Sequence, residues 1–260
     1  MEQCEACGLQ FWRPAAGFDP RATYDGVYFE GSRASRGYDD YGSLEASLRR
    51  NFARRLKRLP PPSPDARLLD VGAAYGFAVD EAKRLGWRAV GVEVSAAAAR
   101  AAAVVSGGRV ALADATALPF PPRSFDAVTL WDVLEHLPDP HAAVGALADL
   151  LRPFGHFVLT TGDAGSLLAR LSGSRWHLYT IPEHFFFYTR RSLSTLLEAH
   201  GLRIESMRAE AAVYTAGYLV ERLRKTLLGH TADCAARWPG AGITIPVNLF
   251  DVLTVSAVRA

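Results

Sequence analysis

This sequence of 260 residues has no long apolar run and only three cysteines. The apolar runs are far too short to cross a bilayer, so we expect no transmembrane segment. Three cysteines in a chain of this length fit a reducing compartment and argue against a disulfide framework. The first three residues, Met1, Glu2 and Gln3, lack the basic start and apolar core of a signal peptide. We therefore expect a cytoplasmic protein.

An excess of either charge is also missing. The chain carries 29 lysines and arginines against 27 aspartates and glutamates, which gives a net charge of +2. A balance this close to neutrality argues against general nucleic-acid binding, and we expect no nucleic-acid partner. With 49% hydrophobic and 22% charged residues, the sequence is typical of a globular protein with one large domain, with or without appendages.

A complete dinucleotide-binding fingerprint is the third absence. Residues 67–95 predict a strand, a glycine turn, a helix and a second strand, which together form a βαβ nucleoside-binding unit. The fingerprint needs glycine at the first, third and sixth positions of the turn. This chain has Gly72, Ala74 and Phe77 at those positions, so the pattern argues against a nicotinamide-dependent oxidoreductase.

What the turn does contain is Asp70-x-Gly72-x-Ala74-x-Gly76. The two glycines let the backbone approach a ligand closely, and Glu93, at the end of the second strand, can accept both hydroxyls of a ribose. The motif resembles the (E/D)xGxGxG loop of class I S-adenosylmethionine-dependent methyltransferases, with alanine at the middle glycine. In such a site Asp70 would offset the positive charge of the cofactor. The alternative is an ordinary βαβ unit with a tight turn and no ligand.

Two further segments extend the resemblance and complete the predicted cofactor site. Asp114 and Ala115 follow a third short strand, where an acidic residue of the family hydrogen-bonds adenine; the alternative for Asp114 is a turn cap. Trp131 ends the fourth strand, at the edge where open α/β sheets bind ligands. Glu135 and His136 follow in a VLEHLPDP run very like that of the family. We interpret this pair as structural and keep His136 as a reserve catalytic candidate.

Residues 1–64 are predicted to form an N-terminal arm. Its first motif, Cys4-x-x-Cys7-Gly, resembles one knuckle of the zinc ribbon that precedes many bacterial methyltransferases of this type. Two thiolates supply half of a tetrahedral zinc site, so we predict a vestigial knuckle and no bound metal. The tyrosine-rich residues 24–41 either cap the cleft, as in the family, or pack over the domain edge. Residues 43–59 predict an amphipathic helix.

Aromatic residues concentrate between residues 165 and 190, the predicted substrate segment. Aromatic rings beside a Glu-His pair suit a cleft that holds an apolar or sugar surface and moves a proton. We expect Trp176 and Tyr188 to contact the substrate, and His184, oriented by Glu183, to act as general base. Alternatively, some of the rings are core residues. The pattern resembles methyltransferases found among glycan and natural-product genes, and a related Glu-His pair is catalytic in some of them.

These features predict an α/β fold: a Rossmann-like seven-stranded sheet with helices on both faces and an antiparallel last strand. We expect the methyltransferase domain to span residues 65–260. Within it, residues 213–228 predict an amphipathic helix in a helical insertion at 210–245. Residues 248–258 predict the last strand, inserted between strands five and six as in the family.

The predicted function is methyl transfer from S-adenosylmethionine to a small-molecule acceptor such as a sugar, a glycan precursor or a natural product. The sequence leaves open whether oxygen, nitrogen or carbon is methylated, and it leaves the oligomeric state open. Two other classes stand as alternatives. One is a nicotinamide-dependent oxidoreductase, and the other is a non-catalytic nucleoside-binding module.

Overall fold

The structure is a computed structural model that describes residues 1–14, 42–220 and 242–260. The tyrosine-rich residues 24–41 and most of the predicted insertion lie outside the described residues. The described strands are β1 (Glu2–Gln3), β2 (Gln10–Phe11), β3 (Arg67–Val71), β4 (Arg88–Glu93), β5 (Val110–Leu112), β6 (Phe125–Trp131), β7 (Leu151–Gly162), β8 (Phe186–Phe187), β9 (Leu202–Ala209), β10 (Ala212–Thr215), β11 (Thr244–Val247) and β12 (Val252–Arg259). The α-helices are α1 (Glu45–Leu56), α2 (Phe77–Arg84), α3 (Ala96–Ser106), α4 (Pro140–Leu150), α5 (Leu167–Ser172) and α6 (Arg190–Ala199).

Seven of these strands form the central sheet, in the order β5-β4-β3-β6-β7-β12-β9. Strand β3 is parallel to both β4 and β6, and β6 is parallel to β7. Strand β12 runs antiparallel to its neighbours β7 and β9, which are the fifth and sixth strands of the predicted series. The predicted seven-stranded sheet with an inserted antiparallel last strand is therefore confirmed.

Helices cover both faces of this sheet. Leu68 of β3 packs with residues of the first three helices, including Phe52 and Val79. Leu69, the next residue, packs on the opposite face with residues of α4 and α6, including Leu147. This alternation is the period of two of a β-strand. Because both faces are buried, the parallel strands have nearly continuous apolar sequences.

The predicted helical insertion begins with a strand, β10, which pairs antiparallel with β11 near the end of the insertion. The prediction of a helix over 213–228 is wrong for its first three residues. They are valine, tyrosine and threonine, which favour strands, and they pair with residues of β11. Asn51 of α1 reinforces this arrangement: its amide donates to the Val213 carbonyl at 3.1 Å, and its oxygen accepts from the Val213 N–H at 2.8 Å. Residues 216–220 are helical.

The last strand begins at Val252 rather than at residue 248. The residues in between form a turn, because the side-chain oxygen of Asn248 accepts the N–H of Phe250 at 2.9 Å. Phe250 has a φ of 58°, which lies in the left-handed region and is incompatible with a strand.

The N-terminal strands contact the predicted substrate segment. Strand β2 pairs antiparallel with both β1 and β8, forming a small three-stranded sheet. The rings of Trp12 and Phe185 stack beside it, with centroids 5.9 Å apart and an interplanar angle of 16°. The first residues of the predicted arm are therefore attached to the segment between Trp176 and the start of α6.

Candidate functional site

The turn after β3 contains two glycines that its geometry requires. Gly72 has a φ of 69° and Gly76 a φ of 78°, in the region that glycine adopts without a steric penalty. A Cβ at Gly72 would lie 2.5 Å from Cγ2 of Val133. The turn is therefore in direct contact with the segment that follows β6, at the carboxyl edge of the sheet.

Ala74 occupies the middle position of the turn with a φ of 46°. Its N–H donates to Oε2 of Glu93 at 2.8 Å, and Oε1 of Glu93 accepts from the Ser95 N–H at 2.8 Å. Burial raises the pKa of the Glu93 carboxyl, and these N–H donors oppose the rise. Each carboxylate oxygen has a second lone pair, so Glu93 both holds the turn and can accept the hydroxyls of a ribose.

Gly91 of β4 is a site residue that the sequence reasoning missed. A Cβ there would lie 2.7 Å from Cβ of Ala73 and 2.8 Å from Cγ2 of Val79. Gly91 therefore lets the turn and α2 pack closely on the sheet, which is the role of the third glycine in a dinucleotide fingerprint. The available signal was a glycine inside an otherwise apolar strand, which often marks a close approach of another backbone.

Asp70 lies at the end of β3 and is only 1% exposed. Its Oδ1 accepts from the hydroxyl of Thr129 at 2.6 Å. Burial raises the pKa of Asp70 to about 7; the nearby charge of Glu93 adds to the rise, and the hydrogen bond from Thr129 opposes it. The carboxyl therefore changes its charge near neutral pH, where a cationic ligand would favour the ionised form.

Asp114 uses one of its oxygens in a turn. Oδ1 accepts from the N–H of Thr116 at 2.9 Å and from its hydroxyl at 2.8 Å. The turn cap that the sequence offered as the alternative is thus present for this oxygen, and the adenine contact stays a prediction. Ala115, the next residue, packs against the core below the carboxyl edge.

Trp131 is buried beneath α1 at the end of β6. Its ring centroid lies 5.9 Å from that of Phe52, and the Arg55 guanidinium carbon lies 5.7 Å from the Trp131 centroid. The second contact is within the range of a cation–π interaction. The ring that was predicted to bind the cofactor therefore also anchors α1 at this edge.

Two histidines from distant parts of the sequence meet at the same edge. The rings of His136 and His184 have centroids 4.5 Å apart at an interplanar angle of 82°. Nδ1 of His136 lies 2.9 Å from the Glu183 carbonyl oxygen, and Nδ1 of His184 lies 3.0 Å from that of Leu178. A carbonyl oxygen only accepts, so both Nδ1 atoms carry the proton and both neutral rings carry a lone pair on Nε2.

This geometry corrects the role that was predicted for Glu183. The shown partner of His184 Nδ1 is the Leu178 carbonyl rather than the Glu183 carboxylate. Glu183 instead positions His136, through its backbone carbonyl. Burial lowers the pKa of both imidazoles, and the neighbouring His136 lowers that of His184 further. Both rings are therefore neutral near pH 7.

Glu135 completes a cluster with the two histidines. The residue is buried, and its Oε2 accepts from the Thr161 hydroxyl at 3.0 Å. Burial, together with the charge of Asp132, raises the pKa of Glu135 to about 8. One nitrogen from each of His136 and His184 and one carboxylate oxygen of Glu135 lie within 4.8 Å of one another. The pair interpreted as structural from the sequence thus lies beside the predicted base.

A backbone hydrogen bond joins the two segments that form this cluster. The Phe185 N–H donates to the Glu135 carbonyl at 2.9 Å, which fixes the substrate segment on the segment after β6. A cavity of about 10 Å³ adjoins the cluster, which is room for one water molecule. It is lined by Glu135, Thr161, Gly162, Trp176, Leu178, His184, Phe186 and Phe187.

The two predicted substrate contacts take different positions. Trp176 lines this cavity, and its indole N–H donates to Oδ2 of Asp251 at 2.8 Å. Tyr188 is 1% exposed and belongs to the main core, with its hydroxyl 3.5 Å from the Leu134 carbonyl. The structure therefore brings Trp176 to His184 and leaves Tyr188 behind the cavity wall, which is the core alternative allowed from the sequence.

Cys4 and Cys7 form a compact knuckle. The Cys4 N–H donates to the Leu9 carbonyl and the Gly8 N–H donates to the Cys4 carbonyl, both at 2.8 Å. Hydrogen bonds from the backbone of Cys7 and Ala6 lower the pKa of the Cys4 thiol. Both thiols are free, and Cys234 lies outside the described residues. The vestigial character of this knuckle stays a prediction.

Together, the fold and site define an α/β enzyme that binds an adenosyl cofactor at the carboxyl edge of its sheet. Residues 44–207 match the model of a family described as a methyltransferase domain. The chain belongs to this methyltransferase family. Membership of this family argues against the two alternatives, a nicotinamide-dependent oxidoreductase and a non-catalytic module.

Curated relatives and solved structures agree with this assignment. The chain is 36% identical over 126 residues to the ubiquinone biosynthesis O-methyltransferase of Alkalilimnicola ehrlichii, which is 45% of this chain and about half (51%) of that relative. It is 29% identical to the protein of the same name from Dinoroseobacter shibae, over 78% of this chain and 81% of that one.

The fold is similar to that of the geranyl diphosphate C-methyltransferase from Streptomyces coelicolor A3(2), solved with Mg²⁺, geranyl diphosphate and S-adenosyl-L-homocysteine. The TM-score is 0.60 at 16% identity, over 95% of this chain and all of that one. The YcgJ protein from Bacillus has a TM-score of 0.57 at 20% identity, over 81% of this chain and 98% of that one.

The residues of the turn fit S-adenosylmethionine, which is the cofactor of this enzyme. Glycine at position 72 lets the turn pack directly against Val133, where a Cβ would lie 2.5 Å from Cγ2. The buried carboxylate of Asp70 suits the positive charge of the methionine portion of the cofactor, and the Glu93 carboxylate suits the hydroxyls of its ribose. In the part of the chain that the structure describes, no helix is long and apolar enough to cross a membrane.

Proposed function

We propose that the enzyme methylates a hydroxyl oxygen of a small-molecule acceptor such as a sugar, a glycan precursor or a natural product. The observation that carries this proposal is the pair of neutral imidazoles, His136 and His184, which meet at the segment after β6. Val133 of that segment contacts the glycine turn, residues 72–76. A hydroxyl must lose a proton when it is methylated, and a neutral imidazole is suited to take it. Relatives named O-methyltransferases support oxygen as the nucleophile.

In this mechanism His184 is the general base. When bound, S-adenosylmethionine would supply the methyl group: its carbon–sulfur bond breaks as the acceptor oxygen bonds to the carbon, and S-adenosylhomocysteine leaves. Nε2 of His184 accepts the hydroxyl proton as the acceptor oxygen forms its bond to carbon, and the Leu178 carbonyl stabilises the imidazolium through Nδ1. Trp176, Phe186 and Phe187 surround the cavity beside His184, and Asp70 and Glu93 would hold the cofactor. Alignment of the two reactants supplies much of the remaining rate enhancement.

The test is a kinetic comparison of three histidine variants. Formation of S-adenosylhomocysteine is followed with a panel of sugars, nucleotide sugars and phenolic natural products. His184→Ala should lower kcat by about 10²–10⁴-fold and leave cofactor affinity, measured by calorimetry, within a few-fold. His200→Ala is the matched control, because His200 forms another histidine pair, with its Nε2 3.2 Å from Nδ1 of His141 at the surface.

Two results would contradict the assignment. If His136→Ala abolishes turnover and His184→Ala does not, the base is His136. If amines are methylated and no hydroxyl compound is, the reaction is N-methylation that needs alignment and no base.

The same proposal keeps the reaction in the cytoplasm and without a nucleic-acid partner. The net charge of +2 and the presence of only three cysteines support both statements. A filter-binding assay with RNA and DNA at physiological salt checks the second, and we expect no retained complex.

A further inference from the structure

The cluster of Glu135, His136 and His184 has the composition of a metal site. Its three candidate ligand atoms, two imidazole nitrogens and a carboxylate oxygen, lie within 4.8 Å of one another. Ligands of a tetrahedral zinc ion stand about 3.3 Å apart, since Zn–N and Zn–O bonds are about 2.0–2.2 Å long. A shift of about 1.5 Å at most would therefore bring the atoms into coordination distance.

Both histidines are held in the tautomer that ligation needs. The Nδ1–H of His136 donates to the Glu183 carbonyl and that of His184 to the Leu178 carbonyl, so the lone pair of each ring is on Nε2. Metal-ligating histidines almost always donate their other N–H to a carbonyl or carboxylate in this way, which fixes the ring and raises its basicity.

The carboxylate of Glu135 is also held by a hydrogen bond, as the two imidazoles are. The Thr161 hydroxyl donates to Oε2 of Glu135 at 3.0 Å, and ligating carboxylates are themselves usually hydrogen-bonded. The adjoining cavity of about 10 Å³ is large enough for one water molecule. A His₂Glu set with one position left for water or substrate is the composition of open zinc sites.

We propose that Glu135, His136 and His184 bind a first-row divalent metal ion of the Zn²⁺ type. Imidazole nitrogens suit such ions, whereas Mg²⁺ is held by oxygen ligands alone. The sequence-based prediction of no metal considered only the cysteine knuckle, because the ligands of this site come from two segments that are about fifty residues apart.

Metal binding has a consequence for catalysis that rests on the proposed function. The lone pair on Nε2 of His184 holds either a proton or a metal ion. The metal-bound protein therefore lacks its general base, and the ion acts as a reversible inhibitor. Release of the ion, for example to a competing chelator, restores activity.

The experiment is a calorimetric titration of the full chain with ZnCl₂ and, separately, MgCl₂. The parent protein is the double variant Cys4→Ser/Cys7→Ser, which removes the thiols of the knuckle. We expect one Zn²⁺ to bind and Mg²⁺ to bind negligibly. His184→Ala and Glu135→Gln in this parent should weaken Zn²⁺ binding by more than the roughly 10–100-fold that loss of an outer-shell partner costs.

His200→Ala serves as the control for adventitious binding, because the His141–His200 pair lies at the surface, and it should leave the affinity within a few-fold. Near-ultraviolet circular dichroism verifies folding; if Glu135→Gln does not fold, His184→Ala and His136→Ala decide. Absence of Zn²⁺ binding in the parent, or binding that His200→Ala abolishes and His184→Ala does not change, would overturn the site. Inhibition that follows Zn²⁺ occupancy supports both proposals, whereas activation by Zn²⁺ keeps the site and refutes His184 as the base.

Discussion

At the scale of single residues, Gly91 is a position where the packing of the sheet requires glycine. A Cβ at this position would overlap Ala73 of the cofactor turn and Val79 of α2. Gly91→Ala should therefore destabilise the protein by about 1–3 kcal/mol, the usual cost of overpacking. Thermal unfolding measures the effect. Gly242→Ala is the control, because a Cβ there meets nothing within 4 Å. Equal melting temperatures for the two variants would refute the close packing of turn and strand.

Asp70 should make cofactor affinity depend on pH. Its pKa of about 7 in the protein is raised from 3.8, mainly by burial. Below pH 7 the carboxyl is neutral, and binding of a cationic cofactor must release its proton. Affinity should therefore rise between pH 6 and 8, by at most about tenfold per pH unit.

The contribution of Asp70 to the free energy of unfolding changes with pH in the opposite direction to cofactor affinity. Because the pKa in the folded state lies above that in the unfolded state, the ligand-free protein should lose stability as the pH rises from about 4 to 7. Calorimetry for affinity and urea unfolding for stability check the two trends. In Asp70→Asn both contributions should vanish, and an unchanged pH dependence of affinity in that variant would assign the effect to another group.

At the scale of elements, the N-terminal strands act as a clamp on the substrate segment. Strand β2 pairs with β8, with Gln10 opposite Phe187, and Thr189 donates its hydroxyl to the Cys7 carbonyl at 3.2 Å. Deleting residues 1–12 should speed hydrogen exchange at residues 185–187 and raise the KM for the acceptor, while cofactor affinity stays unchanged.

Arg13→Ala is the matched control for this deletion. It keeps both strands and removes the exposed ion pair between Arg13 and Glu2 together with the contact of the guanidinium with the Phe11 ring, 5.4 Å from its centroid. Exposed ion pairs contribute little. If the deletion weakens cofactor binding as strongly as it affects the acceptor, the N-terminal strands stabilise the whole domain and are not a specific clamp.

The elements that the sequence predicted well are those with one dominant signal. The glycine turn, β3 and β4 follow directly from the residues between Arg67 and Glu93. The pairing of β10 with β11 was missed because β11 comes about thirty residues later, and local periodicity does not report such pairing. The clamp of β2 on β8 was missed for the same reason, with about 175 residues between the two strands.

At the scale of the whole molecule, the cofactor should stabilise the fold and NAD should not. A ligand that binds only the folded state at a hundred times its Kd adds about 2.7 kcal/mol to the free energy of unfolding. Saturating S-adenosylmethionine should therefore raise the melting temperature. NAD at the same concentration should leave it unchanged, since Ala74 and Phe77 break the dinucleotide fingerprint. Stabilisation by NAD alone would contradict the cofactor assignment.

The site as a whole was only partly predictable from the sequence. The motif around Asp70 and Glu93 indicated the cofactor region, because its residues lie within one βαβ unit. The meeting of His136 with His184 depends on how the substrate segment folds back over the segment after β6, which no local pattern encodes. The sequence also assigned the orientation of His184 to its neighbour Glu183, whereas the fold assigns it to the backbone of Leu178.

The position of β12 has a consequence for the order in which the protein assembles. On a ribosome this strand emerges after all the other described strands of the sheet, yet its place is in the interior, between β7 and β9. Until it arrives, both neighbours expose unpaired backbone edges, which are templates for association with other chains. A chain stalled or truncated before Val252 would therefore expose one edge of β7 and leave β9 without a partner in the central sheet. Pairing of β12 with β7 and β9 therefore completes the sheet and also covers the edges at which the newly synthesised chain would aggregate.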